Sequence, residues 1–124
     1  MTNAAAAQGR ILERVQMPRT PYISPDATGS VMGINKGRLA DIAGLHRNTF
    51  RNPKSVGVQN GLREIIRIVT IAESLCGDTD KALFWFNNEP LSDYGNKTPA
   101  ELCAQGQQGA VLAFLGEIEH GANG

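Results

Sequence analysis

The chain has 124 residues, with 12 Lys or Arg balanced by 12 Asp or Glu. That length holds one compact domain, or two small helical parts sharing a core, and excludes a large enzyme. No apolar run reaches the roughly 20 residues that a membrane helix needs, and the Ala-rich start lacks the basic-then-apolar order of a signal peptide, so a soluble, cytoplasmic protein is expected.

The zero net charge conceals an asymmetry. Residues 1–67 carry ten Lys or Arg against four Asp or Glu, and residues 68–124 carry two against eight, so the halves are +6 and −6. This split points to a nucleic-acid-facing front and a differently occupied back, or simply to two solvated faces of one domain.

Residues 4–16 can form a first helix through Ile11, Leu12 and Val15. The following segment, residues 17–25, is too rich in proline for a helix and reads as an extended connection, with Ser24 placed to cap a short helix that starts at Pro25. Gly29, Gly33 and Gly37 lack the Gly-Lys-Ser/Thr ending of a phosphate loop.

Residues 36–53 have the layout of a helix-turn-helix. Ala40 is small where two helices must approach, Gly44 suits a left-handed turn, and Leu39, Ile42, Leu45 and Phe50 fill the space between. The second helix is expected to start near His46 and to end at Asn52-Pro53, little more than two turns later. His46, Arg47, Asn48, Thr49 and Arg51 would then be exposed near its amino end, where Arg and Asn suit base edges and Thr suits phosphate. Lys36, Arg38 and Lys54 would add phosphate contacts. An ordinary helical hairpin has the same pattern.

Residues 54–59 read as a polar loop and Asn60 as the cap of the strongest helix. Leu62, Ile65, Ile66, Val69, Ala72 and Cys76 make one stripe, and Ile68, Ile71 and Leu75 widen it, leaving Arg63, Arg67, Thr70 and Ser74 to water. So broad an apolar surface predicts self-association, most simply as a homodimer. Gly77 ends this helix, and Asp78 or Thr79 starts another whose Leu83, Phe84, Trp85 and Phe86 are expected in the core. Cys76 and Cys103 lie in apolar helical patterns with no metal-ligand spacing and read as buried, reduced thiols; neither metal nor cofactor is expected.

Thr98, Pro99 and Glu101 form a helix start of the capping-box type. Gly106 and Gly109 bracket a break, after which Val111, Phe114, Leu115 and Ile118 recur on one helical face. Glu117, Glu119 and His120 remain exposed near the end, followed by a short polar tail, residues 121–124.

The run Ala-Leu-Phe-Trp-Phe-Asn-Asn-Glu-Pro-Leu at residues 82–91, the Asn-Lys-Thr-Pro-Ala-Glu-Leu at 96–102 and the closing Ile-Glu-His-Gly at 118–121 resemble, in that order, the toxin-binding domain of the Xre/MbcA/ParS antitoxin family. The resemblance covers about the last half of the chain. It implies an all-α fold: a small helical bundle with a helix-turn-helix-like amino-terminal region, 1–59, and a toxin-binding region, 60–124. It also implies a non-catalytic antitoxin, partner of a RES-domain toxin that consumes NAD. In that family the final helix and tail block the toxin's active site, which assigns toxin contact to Glu117, Glu119, His120, Gly121, Ala122, Asn123 and Gly124. The amino-terminal region binds the operon's own promoter, and the antitoxin sits as a homodimer within a larger toxin–antitoxin heteromer. A helix-turn-helix regulator without a toxin partner is the alternative, distinguished by having no affinity for a RES protein. An enzyme is disfavoured because His46 and His120 lie far apart in sequence, neither beside a nucleophile and acid at a recognisable spacing.

Overall fold

The computed structural model describes residues 10–123, with side chains as far as Gly121. The described residues form an all-α bundle with two short 3-10 segments. The helices are α1 (Arg10–Val15), α2 (Pro25–Met32), α3 (Lys36–Ala43), α4 (Val56–Cys76), α5 (Thr79–Asn88), α6 (Pro99–Ala104) and α7 (Gln108–Asn123), with 3-10 turns at Arg47–Arg51 and Ser92–Tyr94. Of the helix expected over residues 4–16, residues 4–9 lie outside the described part.

Local chemistry sets most of these ends. Ser24, Asn35, Ser55, Asp78 and Thr98 each accept a backbone N–H of the first turn that follows, which satisfies a donor the helix itself cannot pair. Gly33, Gly44 and Gly77 close α2, α3 and α4 in the left-handed conformation. At α6 the capping box is complete: Glu101 N–H donates to Thr98 Oγ1 at 3.1 Å, and Thr98 N–H donates to Glu101 Oε1 at 2.8 Å.

The centre of the bundle is α4, whose Leu62, Ile65, Ile68 and Val69 are buried. It starts at Val56 rather than at Asn60, because Ser55 Oγ takes the N–H of Val58 and Gln59 is needed inside. Gln59 is buried and makes three bonds to backbone: Oε1 accepts Ile23 N–H, and Nε2 donates to the carbonyls of Ile23 and Pro53. Those bonds fold residues 17–23 back into a tight loop instead of an extended connection, with Gln16 and Ile23 bridged antiparallel. The division at residues 59/60 consequently falls inside α4, and one hydrophobic core runs across it from Ile11 to Leu115.

A buried carboxylate joins three helices. Glu73, 2% exposed on the last turns of α4, accepts the N–H of Ile11 at 3.0 Å and the hydroxyl of Thr79 through the same oxygen, Oε2. It thereby ties the first turn of α1 to the α4–α5 junction across 62 positions of sequence.

Burial departs from the expected pattern at several positions. Ile68 is fully buried, so it cannot widen a self-association face, whereas Leu75 is 38% and Phe84 66% exposed. Ile118 and Cys76 are both exposed, on the walls of an open groove between α4, α5 and α7. Trp85 stacks on Phe114 at 6.1 Å and Tyr94 meets Phe114 edge-on at 6.2 Å, pinning α7 to α5 and to the 91–97 loop. Gly109 is not a break: it lies in the first turn of α7, and only Gly106, at φ 77°, turns the chain.

Candidate functional site: a basic turn and an acidic helix end

The basic surface is built on α3. Asn35 Oδ1 accepts Arg38 N–H at 2.8 Å and starts the helix; Gly44, at φ 71°, ends it while Leu45 N–H donates to Ala40 O at 2.8 Å. The chain then enters a 3-10 turn, Arg47–Arg51, instead of the α-helix expected from His46 onward. Two features hold that tighter form. His46 Nδ1 accepts Asn48 N–H at 3.3 Å and Thr49 Oγ1 donates to His46 O at 2.6 Å, while Asn52-Pro53 prevents further helical bonding. Phe50 anchors the turn in the core.

His46, Arg47, Asn48, Thr49 and Arg51 are all exposed on this one turn. The remaining basic residues are engaged more closely. Lys36 lies 3.8 Å from Asp26, and Lys54 sits over the Tyr22 ring at 5.3 Å from its centroid. Arg38 is half-buried. A cleft of about 330 Å³ between α3 and the turn is lined by Gly37, Ala40, Asp41, Leu45, His46 and Arg47. Asp41 places an acid among these bases, which disfavours a phosphate in the cleft itself and leaves the outer edge, Arg47 to Arg51, as the surface for an anion.

One residue missed in the sequence decides how this unit is held. A Cβ on Gly61 would lie 2.8 Å from the Ala43 carbonyl oxygen and 3.1 Å from Leu45 Cδ1, so α4 passes against the α3 turn at a distance only glycine permits. A glycine inside an otherwise apolar-periodic helix is the signal that marks such an approach.

The acidic end belongs to α7. Val111 and Leu115 bury one side of it, and Glu117, Glu119, His120 and Gly121 are exposed on its last turns. The slim polar tail expected after His120 is helical through Asn123, so Ala122 and Asn123 extend the rod rather than hang from it. The reason is that a glycine ends a helix by adopting the left-handed conformation, and Gly121 remains in the helical run. Gly124 lies outside the described residues. The two surfaces are therefore separate: the turn after α3 carries the bases and the end of α7 carries the acids.

The thiols are likewise unlike. Burial first, and then the negative charge of Glu64, push Cys103 up to about 12. Cys76, at the exposed end of α4, points its Sγ to the Asp78 carbonyl at 3.4 Å. Among the described residues no group of His, Cys, Asp and Glu could hold a metal ion, and no helix is long and apolar enough to cross a membrane. Comparison with family models, with curated proteins and with solved structures yields no match for this chain.

Proposed function

We propose that this chain is a non-catalytic antitoxin that neutralises a RES-domain, NAD-consuming toxin by placing the end of α7 in the toxin's active-site entrance. The observation that carries the reading is the pairing of a complete Thr98–Glu101 capping box with an α7 whose last turns are exposed and acidic, in the order of motifs the antitoxin family shares. A cleft that holds the pyrophosphate of NAD is basic, so Glu117 and Glu119 complement it and help steer the encounter. The blocking element is a helix end rather than a flexible tail, so little ordering entropy is lost on insertion.

Mixing the purified chain with a RES toxin tests this directly: NAD loss should stop at a fixed molar ratio. Undiminished NAD consumption with the chain in excess defeats the proposal.

A second role, binding its own promoter in the cytoplasm, rests on the exposed Arg47, Asn48, Thr49 and Arg51. The 3-10 geometry gives this turn little reach into a groove, so phosphate contact dominates base reading and binding falls steeply with salt. Replacing Arg47, Asn48 and Arg51 together by Ala should abolish the promoter shift and leave NAD protection unchanged. Promoter binding with no affinity for any RES protein would instead favour the regulator without a toxin.

A further inference from the structure

A groove of about 360 Å³ lies between α1, the 17–23 loop and α4. That volume falls in the range of small-ligand pockets, roughly 300–1,000 Å³. Its surface is largely apolar: Ile23 and Ile66 are buried beneath it, and Leu12, Pro21 and Ile71 line its sides. The sides are fixed before anything binds. Gln59 pins Ile23 by two bonds and Gln16 Nε2 donates to the Thr20 carbonyl at 2.6 Å, closing the loop, while Glu73 holds the amino end of α1. A preformed concavity avoids the ordering cost of one that has to assemble around its ligand.

The charged groups lining this groove have one sign. Arg63 and Arg67, one turn apart on α4, are both exposed, and no acid lines the groove. Neither guanidinium forms a salt bridge with a described residue. Arg63 donates to the Pro21 carbonyl at 2.8 Å, which holds it against the loop with its other N–H donors to spare. Between Arg63 and Ile71 α4 rises about 12 Å, so basic and apolar residues run side by side over two turns.

We propose that this groove binds a free acyl carboxylate of medium chain length, with its tail along Ile66 and Ile71 and its head group on Arg63 and Arg67. The argument is complementarity of charge and of size. Two guanidiniums with no carboxylate of their own suit a carboxylate ligand, which a planar guanidinium meets through paired N–H donors. A small polar anion would leave the apolar floor in water, and a neutral hydrocarbon would leave both guanidiniums unpaired. A protein partner fits less well, because a stable interface buries about 800 Å² on each side, whereas this groove has room for a single chain. The groove shares no lining residue with the basic turn or with the exposed end of α7, so the site is independent of the neutralisation and promoter binding proposed above.

Sodium decanoate, titrated into the full chain below its micellar concentration, should bind one equivalent with a Kd of about 100 μM or tighter by calorimetry. Amide shifts in a proton–nitrogen correlation spectrum should fall on α1, the 17–23 loop and residues 63–71. Acetate, the head without the tail, should not bind, and decanol, the tail without the head, should bind at least about tenfold more weakly than decanoate. Arg67→Glu changes an exposed side chain, so it should leave the melting temperature unchanged and weaken decanoate by about tenfold or more, because a like charge then faces the carboxylate. Ile71→Glu should do the same by charging the apolar surface; should it unfold the chain, Arg67→Glu carries the test by itself. No binding of decanoate, binding of several equivalents with shifts spread over the surface, decanol as tight as decanoate, or full affinity in Arg67→Glu would each overturn the proposal. Binding to phosphatidylglycerol vesicles with none to free decanoate would also overturn it, in favour of a lipid surface.

Discussion

At Glu73, buried against α1 and the start of α5, a single carboxylate oxygen serves two donors, the Ile11 N–H and the Thr79 hydroxyl. Removing it leaves both unpaired and opens a void, so Glu73→Ala should cost about 2–4 kcal/mol in urea unfolding. A loss under about 1 kcal/mol would mean that α1 is held by Ile11 and Val15 alone. The cysteines give a second residue-scale prediction. Reaction with a disulfide reagent near about pH 8 should consume one thiol per folded chain, Cys76, and a second, Cys103, only after denaturant is added. The same burial sets a sign at high pH. Cys103 ionises near its ordinary 9.0 when unfolded but at about 12 when folded, so its contribution is present below 9.0 and is lost as pH rises from there towards about 12.

Two opposed effects meet at Gly61, where the scale becomes that of the helix. Alanine normally stabilises a helix interior by about 1 kcal/mol over glycine. Here its methyl would press on the Ala43 carbonyl at 2.8 Å, a backbone atom fixed by the turn of α3. Overpacking of that kind costs about 1–3 kcal/mol, so Gly61→Ala should lower the melting temperature and loosen the α3 turn, weakening promoter binding alongside. A rise in melting temperature would show that α4 can slide away from α3. In α6, the backbone N–H of Thr98 holds the Glu101 carboxyl below its ordinary 4.5, with smaller contributions from the Thr98 hydroxyl, Arg38 and Lys97. A depressed carboxyl stabilises the fold above 4.5 and loses that contribution as pH falls through the folded value, so the cap of α6 should weaken in acid, as amide exchange in its first turn would read.

For the molecule as a whole, folding and the proposed neutralisation are separable in space. The last buried anchors of α7 are Val111 and Leu115, and every described side chain from Glu117 onward is exposed. Deleting residues 120–124 should therefore move the melting temperature by less than about 2 °C while strongly impairing NAD protection. Full protection by the truncated, folded chain would shift the blocking role to an earlier part of α7 or to the 91–97 loop. Loss of folding would make the end of α7 structural, and the separation would not hold.

The all-α class, most helix starts and the centrality of α4 were legible in the residues, because caps, left-handed glycines and 3.6-residue periodicity are local signals. Ser24, Asp78, Thr98 and Gly77 act as their sequence context requires. What needed the tertiary structure is which apolar residue meets another helix. Periodicity alone did not place Ile68 inside, or Phe84 and Ile118 at the surface; the packing of the neighbouring helices does. Polar residues were harder still. Gln59, expected in a polar loop, and Glu73 are drawn inside by backbone groups 36 and 62 positions away, and the close approach of the Ala43 carbonyl is what requires glycine at position 61. The basic turn shows both limits. Its residues could be named from sequence, but its 3-10 form follows from the Asn52-Pro53 stop acting together with the buried anchor of Phe50, and only the packed core supplies that anchor.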